Sequence, residues 1–123
     1  MEKIEKDYCD YETCVALREL GFRDECFGHY YKGKFYTDMP PKHYQSDRYI
    51  SVPSLYEAQK WLRENHNLHV EVGYNPVLSW YVYRVWEHQD EIAEGEAFPS
   101  YEEALSTAIY MAVEYLKEKN NGN

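Results

Sequence analysis

Seven consecutive residues, Trp80-Tyr-Val-Tyr-Arg-Val-Trp86, leave this chain little choice of local structure. Aromatic and β-branched side chains dominate the run, and these are the types that fit a pleated strand. Successive side chains of a strand point to opposite faces. Tyr81, Tyr83 and Val85 therefore share one face, while Trp80, Val82, Arg84 and Trp86 share the other. Both sets are largely apolar, so both need cover. One set is expected to pack under helices. The other must meet a loop, a second chain or water.

Three segments carry the helical spacing that could supply the cover. In the first, Thr13, Ala16, Leu17 and Leu20 fall on one face, with Asp10 as N-cap and Gly21 as the residue that ends the helix. The second opens at Ser54 with a capping box to Glu57 and buries Leu55, Ala58, Trp61 and Leu62. The third opens at Ser100 with a capping box to Glu103. Its stripe runs Ala104, Leu105, Ala108, Ile109, Ala112, Val113 and Leu116. Between the first two helices, aromatic runs flank Lys32-Gly33-Lys34 and predict a hairpin over residues 26–37. Met39 to Asp47, with Pro40-Pro41, reads as a surface connection. Leu68, Val70 and Val72 alternate with polar positions and predict a strand before the turn at Asn75-Pro76. Residues 92–98 read as a short further strand, and residues 119–123 as a frayed tail.

A repeat runs through this order. Tyr11-Glu12 precedes Leu17-Arg18-Glu19 at the same spacing as Tyr56-Glu57 precedes Leu62-Arg63-Glu64. The units would span residues 8–38 and 53–87, with a C-terminal helix over 100–118. A hairpin alone is marginal in water, so amphipathic helices must cover it. The expectation is one α+β domain over residues 1–123, in the order α-β-β-α-β-β-(β)-α. It would hold an antiparallel sheet of four to five strands, with three helices mainly on one face.

Three blocks carry a family resemblance: Leu17-Arg-Glu-Leu-Gly-Phe22 with Cys26-Phe27-Gly28, then Val52-Pro53-Ser54 through Leu68-His69-Val70, then Tyr101-Glu102-Glu103-Ala104. In these the chain resembles a group of small uncharacterised proteins from gut bacteria, their phages and mobile elements. The motifs are caps, core positions and strands. The resemblance therefore implies a domain and a mobile-element origin, and it brings no site residue with it.

The formal charge is −9 over 123 residues, and it is polarised. Residues 87–118 hold nine acids and one base, whereas residues 29–86 carry a net +2. An acidic chain disfavours double-stranded nucleic acid as a partner, because phosphate contact needs a basic face. The second half has the helix–strands–helix order of double-stranded-RNA-binding domains, but its last helix begins Ser100-Tyr-Glu-Glu, which repels phosphate. Aromatics beside Lys32, Lys34 and Lys42 leave single-strand stacking as a minor alternative. Cys9, Cys14 and Cys26 are an odd number, and Met1 to Asp10 lacks the apolar run of a secretory signal. A cytoplasmic location with reduced thiols is expected, and no stretch is apolar enough to span a bilayer.

No catalytic, cofactor or metal signature stands out. His66 and His69 straddle a helix end and a strand start, so their rings need not converge on a metal. Cys9-x4-Cys14 lacks zinc spacing. Cys26 and His29 are an odd number of residues apart, which in a strand sends them to opposite faces. The carboxylate pairs Glu102-Glu103, Asp90-Glu91 and Glu94 with Glu96 read as solvated acids. No phosphate-binding glycine loop is present. No cofactor is expected and no enzyme activity is assigned.

What the residues favour is a binding module for another protein or for itself, as in a homodimer. Its surface is an aromatic sheet face formed by Tyr30, Phe35, Tyr36, Trp80, Arg84 and Trp86, with Tyr31 beside them. The alternative is an acidic nucleic-acid mimic or anti-defence effector, which requires the acids of residues 87–118 to form one continuous face. An enzyme of unknown type ranks third.

Overall fold

The computed structural model describes residues 6–24, 26, 28–37 and 49–121. The chain is α+β and divides into two compact units, residues 1–58 and 59–123, with the division inside a helix.

In the first unit, helix α1 spans Tyr11–Glu19. The Asp10 carboxylate accepts a hydrogen bond from the Thr13 N–H at 2.8 Å, satisfying one of the helix's orphan donors. Gly21, at φ +106°, ends the helix in a conformation that side chains avoid. Strands β1 (Gly28–Tyr31) and β2 (Lys34–Tyr36) form the expected hairpin. Its turn residues Lys32 and Gly33 both have positive φ, as the tight turn that matches strand twist requires. Strand β3 (Tyr49–Val52) pairs antiparallel with β1, giving the order β2-β1-β3. Helix α1 packs against β3. Just before α1, Tyr8 bridges to Ser54, and the Cys9 N–H donates to the Pro53 carbonyl at 3.1 Å.

Helix α2 spans Leu55–His66 and crosses the division. Its capping box is formed in both directions: Ser54 N–H to Glu57 Oε1 at 2.7 Å, and Glu57 N–H to Ser54 Oγ at 3.1 Å. Leu55, Ala58, Trp61 and Leu62 are buried.

The second unit continues through β4 (Leu68–Asn75), β5 (Trp80–Glu87) and β6 (Asp90–Phe98), an antiparallel meander in the order β4-β5-β6. Helix α3 (Tyr101–Asn121) packs across all three strands. Its seven stripe residues, Ala104 to Leu116, are buried. Burying each leucine or isoleucine of this stripe contributes roughly 1.5–3 kcal/mol, far more than helix propensity supplies.

Three expectations are corrected. Among the described residues the strands form two three-stranded sheets, not one sheet of four to five strands. Among the described residues the element order is α-β-β-β-α-β-β-β-α: the bracketed strand is present as β6, and β3 is an addition. Helix α3 continues through Asn121, so residues 119–121 are helical and not a frayed end. Lys119 helps to hold them, donating to Glu87 at 2.8 Å. Helix-then-hairpin order recurs, yet the sheets differ: the central strand is the first of its sheet in one unit and the second in the other. The repeat is thus not carried into sheet connectivity. The surface connection expected from Met39 to Asp47, and Lys42 within it, lie outside the described residues.

Candidate interaction face

The cross-strand register of the second sheet sorts its side chains onto two faces. Val70 lies opposite Val85, and Val72 opposite Tyr83, on the face that α3 covers. There Val70, Tyr83 and Val85 are buried, and the Tyr101 ring of α3 meets Tyr81 edge-on at 6.1 Å. Farther along the helix, the Tyr115 hydroxyl donates to Glu87. The Lys119 and Tyr115 hydrogen bonds hold the Glu87 carboxyl below the usual carboxylate range.

The reverse face carries Trp80, Val82, Arg84 and Trp86 on β5. Opposite them on β4 stand Asn75, Gly73, Glu71 and His69, in that order. On β6, Glu94 pairs with Arg84 and Glu91 with Trp86. Trp80, Val82 and Trp86 are half-buried, and Arg84 is exposed. Two polar contacts fix the rows. The Trp86 indole N–H donates to Glu71 Oε1 at 3.0 Å, and Arg84 Nε pairs with Glu91 Oε1 at 3.2 Å. The Arg84 and Glu91 side chains stay 51% and 32% exposed, so this pair orders the surface while adding little to stability.

The β4–β5 turn presents two exposed apolar side chains, a feature the sequence reading passed over. Asn75 Oδ1 accepts from the N–H groups of Val77 (3.0 Å) and Leu78 (3.2 Å), and Ser79 completes the turn at φ +57°. The clamp holds Val77 and Leu78 outward at 87% and 53% exposure. Asn75-Pro76 signalled the turn, but its length hid which side chains would project.

The six residues expected to share one aromatic face are divided between sheets. Tyr30, Phe35 and Tyr36 belong to the first sheet, and Trp80, Arg84 and Trp86 to the second. Tyr30 and Phe35 pair across β1 and β2, with ring centroids 5.7 Å apart. The Tyr11 ring meets Tyr30 and the Tyr8 ring meets Phe35, each at 5.2 Å. These rings pack on one another within their unit. Tyr36 lies on the other face, stacked on buried His29 at 5.9 Å.

The remaining candidates also find local roles. Buried Cys14 donates to the Cys9 carbonyl, and Cys26 to the Asp24 carbonyl, each at 3.5 Å. Burial pushes the Cys26 thiol up to about 12 and the Cys9 and Cys14 thiols well above their usual range, so all three are neutral at physiological pH. His66 stacks edge-on against Trp61 at 4.9 Å, whereas His69 bonds Asn67 at 3.0 Å. Among the described residues, no group of three or more histidine, cysteine or acidic side chains is placed to hold a metal ion. A cavity of about 10 Å³ between Arg18, Phe22, Arg23 and Ser51 has room for a water molecule and no substrate. Arg23 beside it is already bonded to the carbonyls of Arg18 and Phe22.

The acids of the second unit are spread over two sides. Glu91 and Glu94 register with the reverse face of the sheet, while Glu102, Glu103, Glu114 and Glu118 lie on α3 across the other face. Glu87, Glu91 and Glu114 are paired with Lys119, Arg84 and Lys117. Among the described residues, no helix is long and apolar enough to cross a membrane. Compared with known proteins, the chain matches no family model, no curated protein and no solved structure.

Proposed function

We propose that this chain is a non-enzymatic binding module that recognises another protein through the reverse face of its second sheet. The observation that supports this reading is one row of β5. Trp80, Val82 and Trp86 lie half-buried beside exposed Arg84, on the face turned away from α3. Tryptophan and arginine are the side chains that most often dominate binding energy at protein interfaces. Trp86 and Arg84 have ordered partners in Glu71 and Glu91, so little of their side-chain entropy remains to be lost on docking. Val77 and Leu78 add exposed apolar side chains in the turn that leads into β5.

The test compares the wild-type chain with Trp86→Ala and Trp80→Ala as baits in quantitative affinity capture. Circular dichroism and thermal unfolding confirm that each variant is folded. The expected result is a protein enriched by the wild type and lost from both variants. Identical capture by all three would remove this face as the binding surface.

A further inference from the structure

Resting on the reading above, we infer that the partner presents a cationic segment, with exposed lysine or arginine side chains, to the tryptophan-bearing face. The register places three carboxylates around one cation: Glu71 and Glu94 flank Arg84 in one cross-strand row, and Glu91 stands opposite Trp86 in the next. Arg84 is already engaged by Glu91 at 3.2 Å, so the row does not offer an unopposed positive charge. The face therefore carries a surplus of negative charge beside indole rings. Both features attract the same ligand. Carboxylates attract cations by charge, and the π-face of tryptophan attracts lysine and arginine through its quadrupole.

The same charges count against two other occupants. A second copy docked by a two-fold axis would set this face against itself. Each copy would then bring three carboxylates and one arginine to the contact, and the whole chain carries −9. Nucleic acid would bring phosphates to a surface already rich in carboxylates. A basic protein segment is the occupant that neutralises the face, and its approach would be steered by that field.

The experiment titrates three peptides into the full chain at low ionic strength: tetra-arginine, tetra-glutamate and an uncharged Gly-Ser tetramer. Heteronuclear NMR follows the indole N–H signals of Trp80 and Trp86 and the Nε–H signal of Arg84. Tetra-arginine is expected to move the Trp86 and Arg84 signals, and the other two peptides to leave them in place. Glu94→Gln should weaken the tetra-arginine response by about two- to fivefold, the scale of one exposed charge pair. Glu118→Gln on α3 should leave it unchanged. Equal responses to all three peptides, or arginine-induced shifts confined to other residues, would overturn the inference. The two proposals fail separately. A captured partner that is lost with Trp86→Ala but kept by Glu94→Gln and Glu71→Gln would leave the docking face standing and remove its cationic ligand. A partner kept by every variant would remove both.

Discussion

The ring of Tyr83 on β5 packs against Gly95, its cross-strand neighbour on β6. A Cβ at position 95 would come within 2.9 Å of the ring's Cζ and nearer still to Cε2. The ring is buried there and reaches Phe98 at 5.7 Å between centroids. Glycine is thus required by space, and the tyrosine fills the gap that the missing side chain leaves. Gly95→Ala is expected to destabilise the chain by about 1–3 kcal/mol, as overpacking does. In a Tyr83→Val background the same change should cost much less. A double-mutant cycle from urea unfolding measures the difference, and additive costs would show that the two positions are not coupled.

The helix caps make a second prediction. Ser54 and Ser100 each accept a hydrogen bond from the N–H three residues on, at 3.1 and 3.2 Å. Ser54→Ala and Ser100→Ala should each cost about 1 kcal/mol, with Gly less harmful than Ala at both sites. Thermal unfolding of the single and double variants checks this. Losses well under about 0.5 kcal/mol would mean that solvent replaces the caps without penalty.

The buried thiols predict how stability depends on alkaline pH. An ordinary thiol ionises near 9.0, while burial raises Cys26 to about 12 in the folded chain. The folded state therefore retains a proton that the unfolded state releases. The contribution is complete below about pH 9 and is lost as pH rises towards 12. Cys9 and Cys14 act in the same direction. Urea midpoints should fall between pH 9 and 11, and Cys26→Ala should flatten that fall. At pH 8 a thiol reagent should label the folded protein only at the rate at which it opens. Immediate labelling of all three cysteines would contradict their burial.

The helices were legible in the sequence because caps and stripes are local signals. Asp10, Ser54 and Ser100 act as read, and the apolar faces of the three described helices are buried, except that Leu20 is only half-buried. The hairpin turn at Lys32-Gly33 and the strands at Leu68 and Trp80 were equally plain. Strand β3 was missed, since only Ile50 and Val52 alternate in it after a proline-containing stretch. The strand read over residues 92–98 left out the first two residues of β6, because Asp90 and Glu91 are acids that a strand seldom favours. The split into two sheets was not legible at all. Alternation shows that a segment is a strand and which residues share a face, but pairing partners are set by contacts distant in sequence. For the same reason Tyr30, Phe35 and Tyr36 were grouped with Trp80, Arg84 and Trp86, although the two groups belong to different sheets.

The rim of the second sheet bears on how the chain avoids sticking to itself. Strand β6 slips register twice against β5, and Ala97 sits in the left-handed region at φ +73°. A strand so kinked, and carrying Glu91, Glu94 and Glu96, is a poor template for another chain's backbone. Ladder growth into fibrils or filaments is discouraged along this border, so the tryptophans beside it can stay partly exposed without seeding aggregation from the sheet's margin.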